Sequence, residues 1–243
     1  MDDVEAYNCL MWFDSTERRL VKFCHDVPPQ NQNLKTWSPL LAEIIVEASS
    51  IVDSLFCHIA GSADAATPTG SKKNNLGLPD YFELYNGDLE LSKRKLILLT
   101  TPPEFRSPFN CWTPENAPLW WATHNKLKHD RLKHMPAAHL SSAIEATGGA
   151  FMLFCAFAEE HASLLRALMR HESLSSYNVN PEILLKQAEG KTLRSYLKSW
   201  PIWSLSRFFA VMLGGEELPS KIEDFRPAPY NGGPKLMEFF GRI

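Results

Sequence analysis

The sequence predicts an all-α fold: a bundle of four to five helices carrying one short β-like insert and a helical C-terminal extension. Two long stretches set that expectation. Over residues 40–59 and 137–172, apolar side chains recur at three- and four-residue spacing, as on one buried helix face. The third observation is composition. Of 243 residues, 44% are hydrophobic and 22% charged, enough apolar material for a sizeable core in a soluble protein. Residues 1–34 read as an N-terminal helical segment, 35–172 as the bundle and 173–243 as the extension.

In the first segment Leu10, Phe13, Leu20, Phe23 and Cys24 line one side of one or two short helices. Asp14, Ser15 and Thr16 supply an N-cap for residues 17–25. Pro28 and Pro29, followed by a Gln/Asn run, break helix. Ser38 then caps a helix that Pro39 opens, because a missing N–H costs nothing in the first turn. Its apolar face runs Leu41, Ile44, Ile45, Ala48, Ile51, Val52, Leu55, Phe56. Glu43, Glu47 and Asp53 ride beside that face, either as a solvated flank or as an acidic lining that meets the basic helix further on.

Residues 61–79, rich in Gly, Ser, Ala, Thr and Asn, read as a mobile loop, and Gly70-Ser71-Lys72 lacks the phosphate-loop spacing. Pro79-Asp80 opens a short helix through Tyr81, Phe82 and Leu84. Residues 95–100 are a β-like run with room for one hairpin. The stretch to Pro114 is irregular, packed by Phe105, Phe109 and Trp112. Residues 115–133 form the central helix, with Pro118 tolerated in its first turn. Pro136 ends it, and a second long helix covers 137–172. There Gly148 and Gly149, each weakening a helix by about 1 kcal/mol, imply close approach of a neighbouring helix. Residues 181–190, 193–200 and 204–213 read as further helices, and 224–233 as a Pro/Gly/Asn-rich loop.

Several function classes are disfavoured. A net charge of -3 gives no global attraction to nucleic acid or anionic membrane, so such binding needs a local patch. Cys9, Cys24, Cys57, Cys111 and Cys155 are odd in number, scattered and without a C-x-x-C pair, which points to a reducing compartment. The acidic N-terminus lacks a signal-peptide pattern, and the longest mostly apolar run, residues 146–158, is too short for a bilayer. The expectation is a cytoplasmic protein with no membrane partner and no cofactor.

The richest stretch chemically is residues 120–131, W-W-A-T-H-N-K-L-K-H-D-R. His124, His129, His134 and His139 recur every five residues. On a helix that turns successive rings roughly 140° apart, so no metal site is expected. No G-x-S-x-G elbow and no cysteine–histidine motif offers a nucleophile. The basic character stands out instead. Lys126, Lys128, Arg131 and Lys133 face Asp130 alone, a local charge of +3 that suits phosphate binding. Helical spacing puts His124, Lys128 and Arg131 on one face, and Trp121, Asn125, His129 and Leu132 on the next. The plainer reading is a buried aromatic–Asn–His face with a solvated basic flank.

Over roughly residues 35–170 the order of elements resembles the HEPN superfamily of α-helical bundles: a long helix after Ser38-Pro39, an irregular insert, the W-W-x-x-H-N-K-L-K-H-D-R helix, then a long Gly/Ala-containing apolar helix. Ribonuclease members carry an R-x(4–6)-H pattern with a polar residue after the arginine, paired across a dimer. Asn125 and His129 match it, whereas His124 stands where the family has arginine. The resemblance implies a defence- or toxin-type protein that binds RNA, or a protein partner, through this helix. Its other implication is a metal-independent endoribonuclease in which His129 is the general acid/base and Asn125 orients. His124 with Lys128 or Arg131 would then stabilise phosphate charge. It also implies a homodimer or a defence-complex partner. A second R-x4-H match, Arg166 to His171, lacks the polar residue.

Overall fold

The first helix, α1 (Asp3–Asp26), starts well before the residue-17 position its sequence suggested. In this computed structural model, which describes residues 1–62, 76–100, 102–170, 180–188, 192–199 and 202–213, Asp2 is the cap. Its carboxylate accepts from the Glu5 N–H while the Glu5 side chain accepts from the Asp2 N–H, both at 2.8 Å. Asp14 and Thr16, expected as caps, are therefore buried mid-helix, where the Thr16 hydroxyl donates to the Trp12 carbonyl at 3.0 Å. Helix α2 (Pro39–Ser62) begins where its capping signal said, with the Leu41 N–H donating to Ser38 Oγ at 3.1 Å. All eight of its expected face residues are fully buried. Glu43 and Glu47 are held by Arg19 of α1 at 2.6 and 2.7 Å, so they join α1 to α2 and do not line a basic helix.

The insert is a chain of short elements. It runs through α3 (Leu78–Tyr81), a π-helical turn (Phe82–Asn86), α4 (Gly87–Leu89) and the hairpin β1 (Leu96–Leu98) with β2 (Glu104–Arg106). Residues 63–75 of the expected mobile loop lie outside the described residues. The central helix is shorter than expected. α5 (Leu119–His129) takes Pro118 as its N-cap, and Asp130 separates it from α6 (Arg131–His134). The cause is local: Asp130 adopts φ -150, ψ 83 and its carboxylate accepts from the Lys133 N–H at 3.1 Å, capping a new turn in place of continuing the old one. A 3-10 turn (Met135–Ala137) carries Pro136.

The single long helix expected over residues 137–172 is two: α7 (Leu140–Ala158) and α8 (Ala162–Arg170). Its start is stitched to the loop before α2, the Leu140 and Ser141 N–H groups donating to the Thr36 and Leu34 carbonyls at 2.8 and 3.0 Å. Helix α7 is long and apolar enough to cross a bilayer by composition, yet 83% of that window is buried inside the protein. It is the core element, packed against α1, α2, α5, α8 and one face of a sheet.

The C-terminal part corrects the all-α expectation, leaving a mostly helical protein. After α9 (Pro181–Gln187) and α10 (Leu193–Ser199) come β3 (Ile202–Leu205) and β4 (Phe209–Leu213), where a helix was expected over 204–213. A short apolar run is ambiguous by periodicity. What decides it is the open edge of β1: Ile97 pairs with Ala210 and Leu98 with Phe209, completing an antiparallel sheet of order β2-β1-β4-β3.

Gly148 faces this sheet and not a helix. A Cβ there would lie 2.9 Å from Leu96 Cδ2 and 3.2 Å from Phe209 Cε1, while one on Gly149 would meet the Trp120 ring of α5 at 3.1 Å. Gly148→Ala should therefore destabilise the protein by about 1–2 kcal/mol in urea unfolding, overpacking outweighing the helix-propensity gain. A stabilised variant would show that the sheet yields.

The β3–β4 turn is latched to α1. Arg207 pairs with Asp14, and the Phe208 and Arg207 N–H groups donate to the Glu17 carboxylate at 3.0 and 3.2 Å. Burial pushes the Glu17 pKa up to about 7 against the pull of Ser206, those two N–H groups and Arg207. A folded value above the unfolded one means that the folded state holds the proton between roughly pH 4.5 and 7, so this contribution fades as pH rises through that window. Thermal melts should show stability falling by about 2 kcal/mol between pH 5 and pH 8 on this account. Glu17→Gln should flatten that slope, and an unchanged slope would sink the assignment.

Candidate functional site

Helix α5 is anchored by its aromatic start, as expected. Trp120 and Trp121 are buried, and the Trp120 indole N–H donates to the Pro108 carbonyl at 2.8 Å. From there an aromatic chain runs Phe109, Trp120, Trp121, His124, with adjacent ring centroids 5.7, 5.5 and 5.1 Å apart. His124 is thus part of the core face, 6% exposed. Its Nδ1 is buried without a hydrogen-bond partner among the described residues. Burial, aided by the charges of Lys128 and His129, pushes its pKa down to about 4, so the ring is neutral at physiological pH. The expected grouping of His124 with Lys128 and Arg131 on one face is corrected accordingly. Burial takes His124 inward, and the break at Asp130 takes Arg131 off the helix altogether.

The other residues of the stretch are exposed: Asn125, Lys126, Lys128, His129, Arg131 and Lys133 all reach solvent. Asn125 and His129 are therefore not sealed in the bundle. Arg131 is distinctive. Among the described residues every other arginine has a carboxylate partner, and Arg131 has none. Lys126, Lys128 and Lys133 likewise form no ion pair with a described residue. Asp130, the lone acid of the segment, spends its side chain on capping α6. The second motif match dissolves in structural pairing, Arg166 being held by Glu182 at 2.9 Å and Asp3 at 3.3 Å, while His171 lies outside the described residues. No group of three or more potential metal ligands occurs among the described residues.

Beside the basic segment lies a cleft of about 410 Å³, which the sequence did not reveal. Asn125 and Trp121 of α5 form one side, Asp53 of α2 another, Leu78 and Pro79 of α3 a third, and the 112–117 turn closes it. That turn is built by Thr113, whose N–H donates to the Asn116 carbonyl at 3.0 Å and whose Oγ1 accepts from the Asn116 N–H at 3.1 Å. Of the three α2 acids, Asp53 alone meets the basic helix: burial raises its pKa and the nearby Lys128 charge lowers it. Of the chain that closes the cleft, Trp112, Thr113 and Pro114 read in the sequence only as irregular, and Glu115 as the start of the central helix.

Fold and site together define a mostly helical protein with an unpaired basic segment at the end of a buried aromatic helix, next to a polar-rimmed cleft. No family model, curated protein or solved structure matches the chain.

Proposed function

We propose that the chain binds RNA through the exposed basic segment of α5 and α6, as a HEPN-like protein of a bacterial-type defence or toxin system. The observation that carries the binding is the set of four cations, Lys126, Lys128, Arg131 and Lys133, left without carboxylate partners in a protein that pairs its other described arginines. Unpaired, solvated cations on one short segment release counterions when phosphates replace their ion atmosphere. Anisotropy titration of a labelled single-stranded RNA tests it. Four phosphate contacts should give a log–log salt slope of roughly -2.8. Absence of binding at low salt would remove the reading, and equal affinity for poly-glutamate at matched charge would assign the strip to an acidic protein partner.

Endoribonuclease action by His129 is the alternative the resemblance supplies. His129 and Asn125 are accessible to a substrate, which supports it. Against it, the position where the motif wants arginine holds a buried histidine with a pKa of about 4, unable to carry the phosphate-clamping charge. Binding without cleavage is the expected result: structured RNA incubated with EDTA should degrade equally with the unsubstituted protein and with His129→Ala. Cleavage lost only in the variant would reinstate the enzyme.

A further inference from the structure

The cleft beside the basic segment has a different chemistry from the strip. Its walls mix apolar side chains, Trp121, Pro79 and Pro114 among them, with polar ones, the carboxylates of Asp53 and Glu115, the Asn125 amide and the Thr113 hydroxyl. At about 410 Å³ it falls within the range of roughly 300–1,000 Å³ typical of small-ligand sites. We propose that it holds one unstacked guanine base of a single-stranded RNA whose phosphates lie on Lys126 and Lys128. This rests on the RNA-binding reading and names the substrate feature that the same site selects.

Placement comes first. Asn125 lines the cleft and is followed directly in the helix by Lys126, while Lys128 acts on the Asp53 carboxyl from the same helix. A strand with phosphates on the lysines has its base within reach of the cleft mouth, and Lys128 offsets the Asp53 charge that would otherwise repel it. Single-stranded RNA is the form that can turn a base outward into such a slot. Hydrogen-bond chemistry then chooses the base. An ionised carboxylate only accepts, so the edge it reads must donate. Guanine presents adjacent imino and amino N–H groups that one carboxylate takes together, whereas adenine and cytosine present one amino group and uracil one imino group. The Asn125 amide supplies the donor that guanine O6 needs.

Anisotropy titrations with a labelled decauridylate and the same strand carrying one central guanosine, adenosine or cytidine provide the test. The guanosine strand should bind about tenfold more tightly than the decauridylate, with the adenosine and cytidine strands close to the latter. Asp53→Asn, at an exposed position, should bring the guanosine-to-uridine affinity ratio close to one. Binding of all strands with equal affinity, or a guanosine preference that survives in Asp53→Asn, overturns the inference while leaving RNA binding in place. Failure of every strand to bind overturns both.

Discussion

Replacing Arg94 by alanine should cost about 3–5 kcal/mol of folding stability, the largest single loss expected from a residue outside the apolar core. Glu159, at the C-cap of α7, is completely buried. The Arg94 guanidinium meets it with two parallel bonds of 2.7 Å, and Arg94 Nε donates to the Leu89 carbonyl at 2.7 Å, so the insert before β1 is tied to the end of the core helix. Arg194 of α10 adds a longer contact of 3.6 Å. Truncation strips the two short bonds from a fully buried carboxylate, and weakening the pairing of a buried charge is far costlier than removing the pair altogether. Arg94→Met with Glu159→Leu should therefore recover most of the loss, although either substitution alone does not. Urea unfolding of Arg94→Ala, the two single substitutions and the double variant measures this. A loss under about 1 kcal/mol in Arg94→Ala would mean that the other contacts of Glu159, Arg194 among them, hold the site.

The same ion pair explains why one expected helix is two. The apolar period continues from α7 into α8, but period alone does not report that Glu159 must turn inward to meet an arginine 65 positions earlier. Long-range pairing also hid the start of α1. Asp14 and Thr16 carry good capping chemistry, yet Asp14 is committed to Arg207 and Glu17 to the Phe208 N–H, 193 and 191 positions away. Where the signals were local they sufficed: Ser38-Pro39 placed the start of α2, and the Lys95 to Thr100 run placed β1. β4 was missed because Phe208 to Leu213 are apolar throughout and so carry no period, their state being set by the unfilled edge of β1, and β3 was missed with it because it pairs on β4.

In the candidate site, burial of His124 was legible in principle. Trp120, His124 and Leu127 stand at i, i+4 and i+7, and all three are buried. Grouping His124 with Lys128 and Arg131 used the same spacing, and it failed because the helix ends at Asp130. The basic segment itself was legible from charge alone. The cleft was not, because Asp53 and Asn125 are brought together only by the packing of α2 on α5.

Neutralising Lys126, Lys128, Arg131 and Lys133 together should weaken single-stranded RNA binding by about 4 × 10³-fold at 50 mM salt and about 10²-fold at 200 mM. The salt dependence and the size of the loss are one quantity. With four contacts at roughly 0.7 counterions each, the electrostatic part of log K is about 2.8 times the negative logarithm of molar salt, and it vanishes near 1 M. The parent protein should accordingly lose roughly 50-fold in affinity between those two salt concentrations, while the quadruple alanine variant shows almost no slope. Stability should hardly change, since none of the four side chains pairs with a carboxylate among the described residues and all four are exposed. That separation between affinity and folding makes the measurement decisive. An ion pair spent on architecture, such as Arg166 with Glu182, should behave in the opposite sense: Arg166→Ala should leave the salt slope intact. A quadruple variant that binds RNA with the parent's slope would place the phosphate contacts elsewhere on the protein.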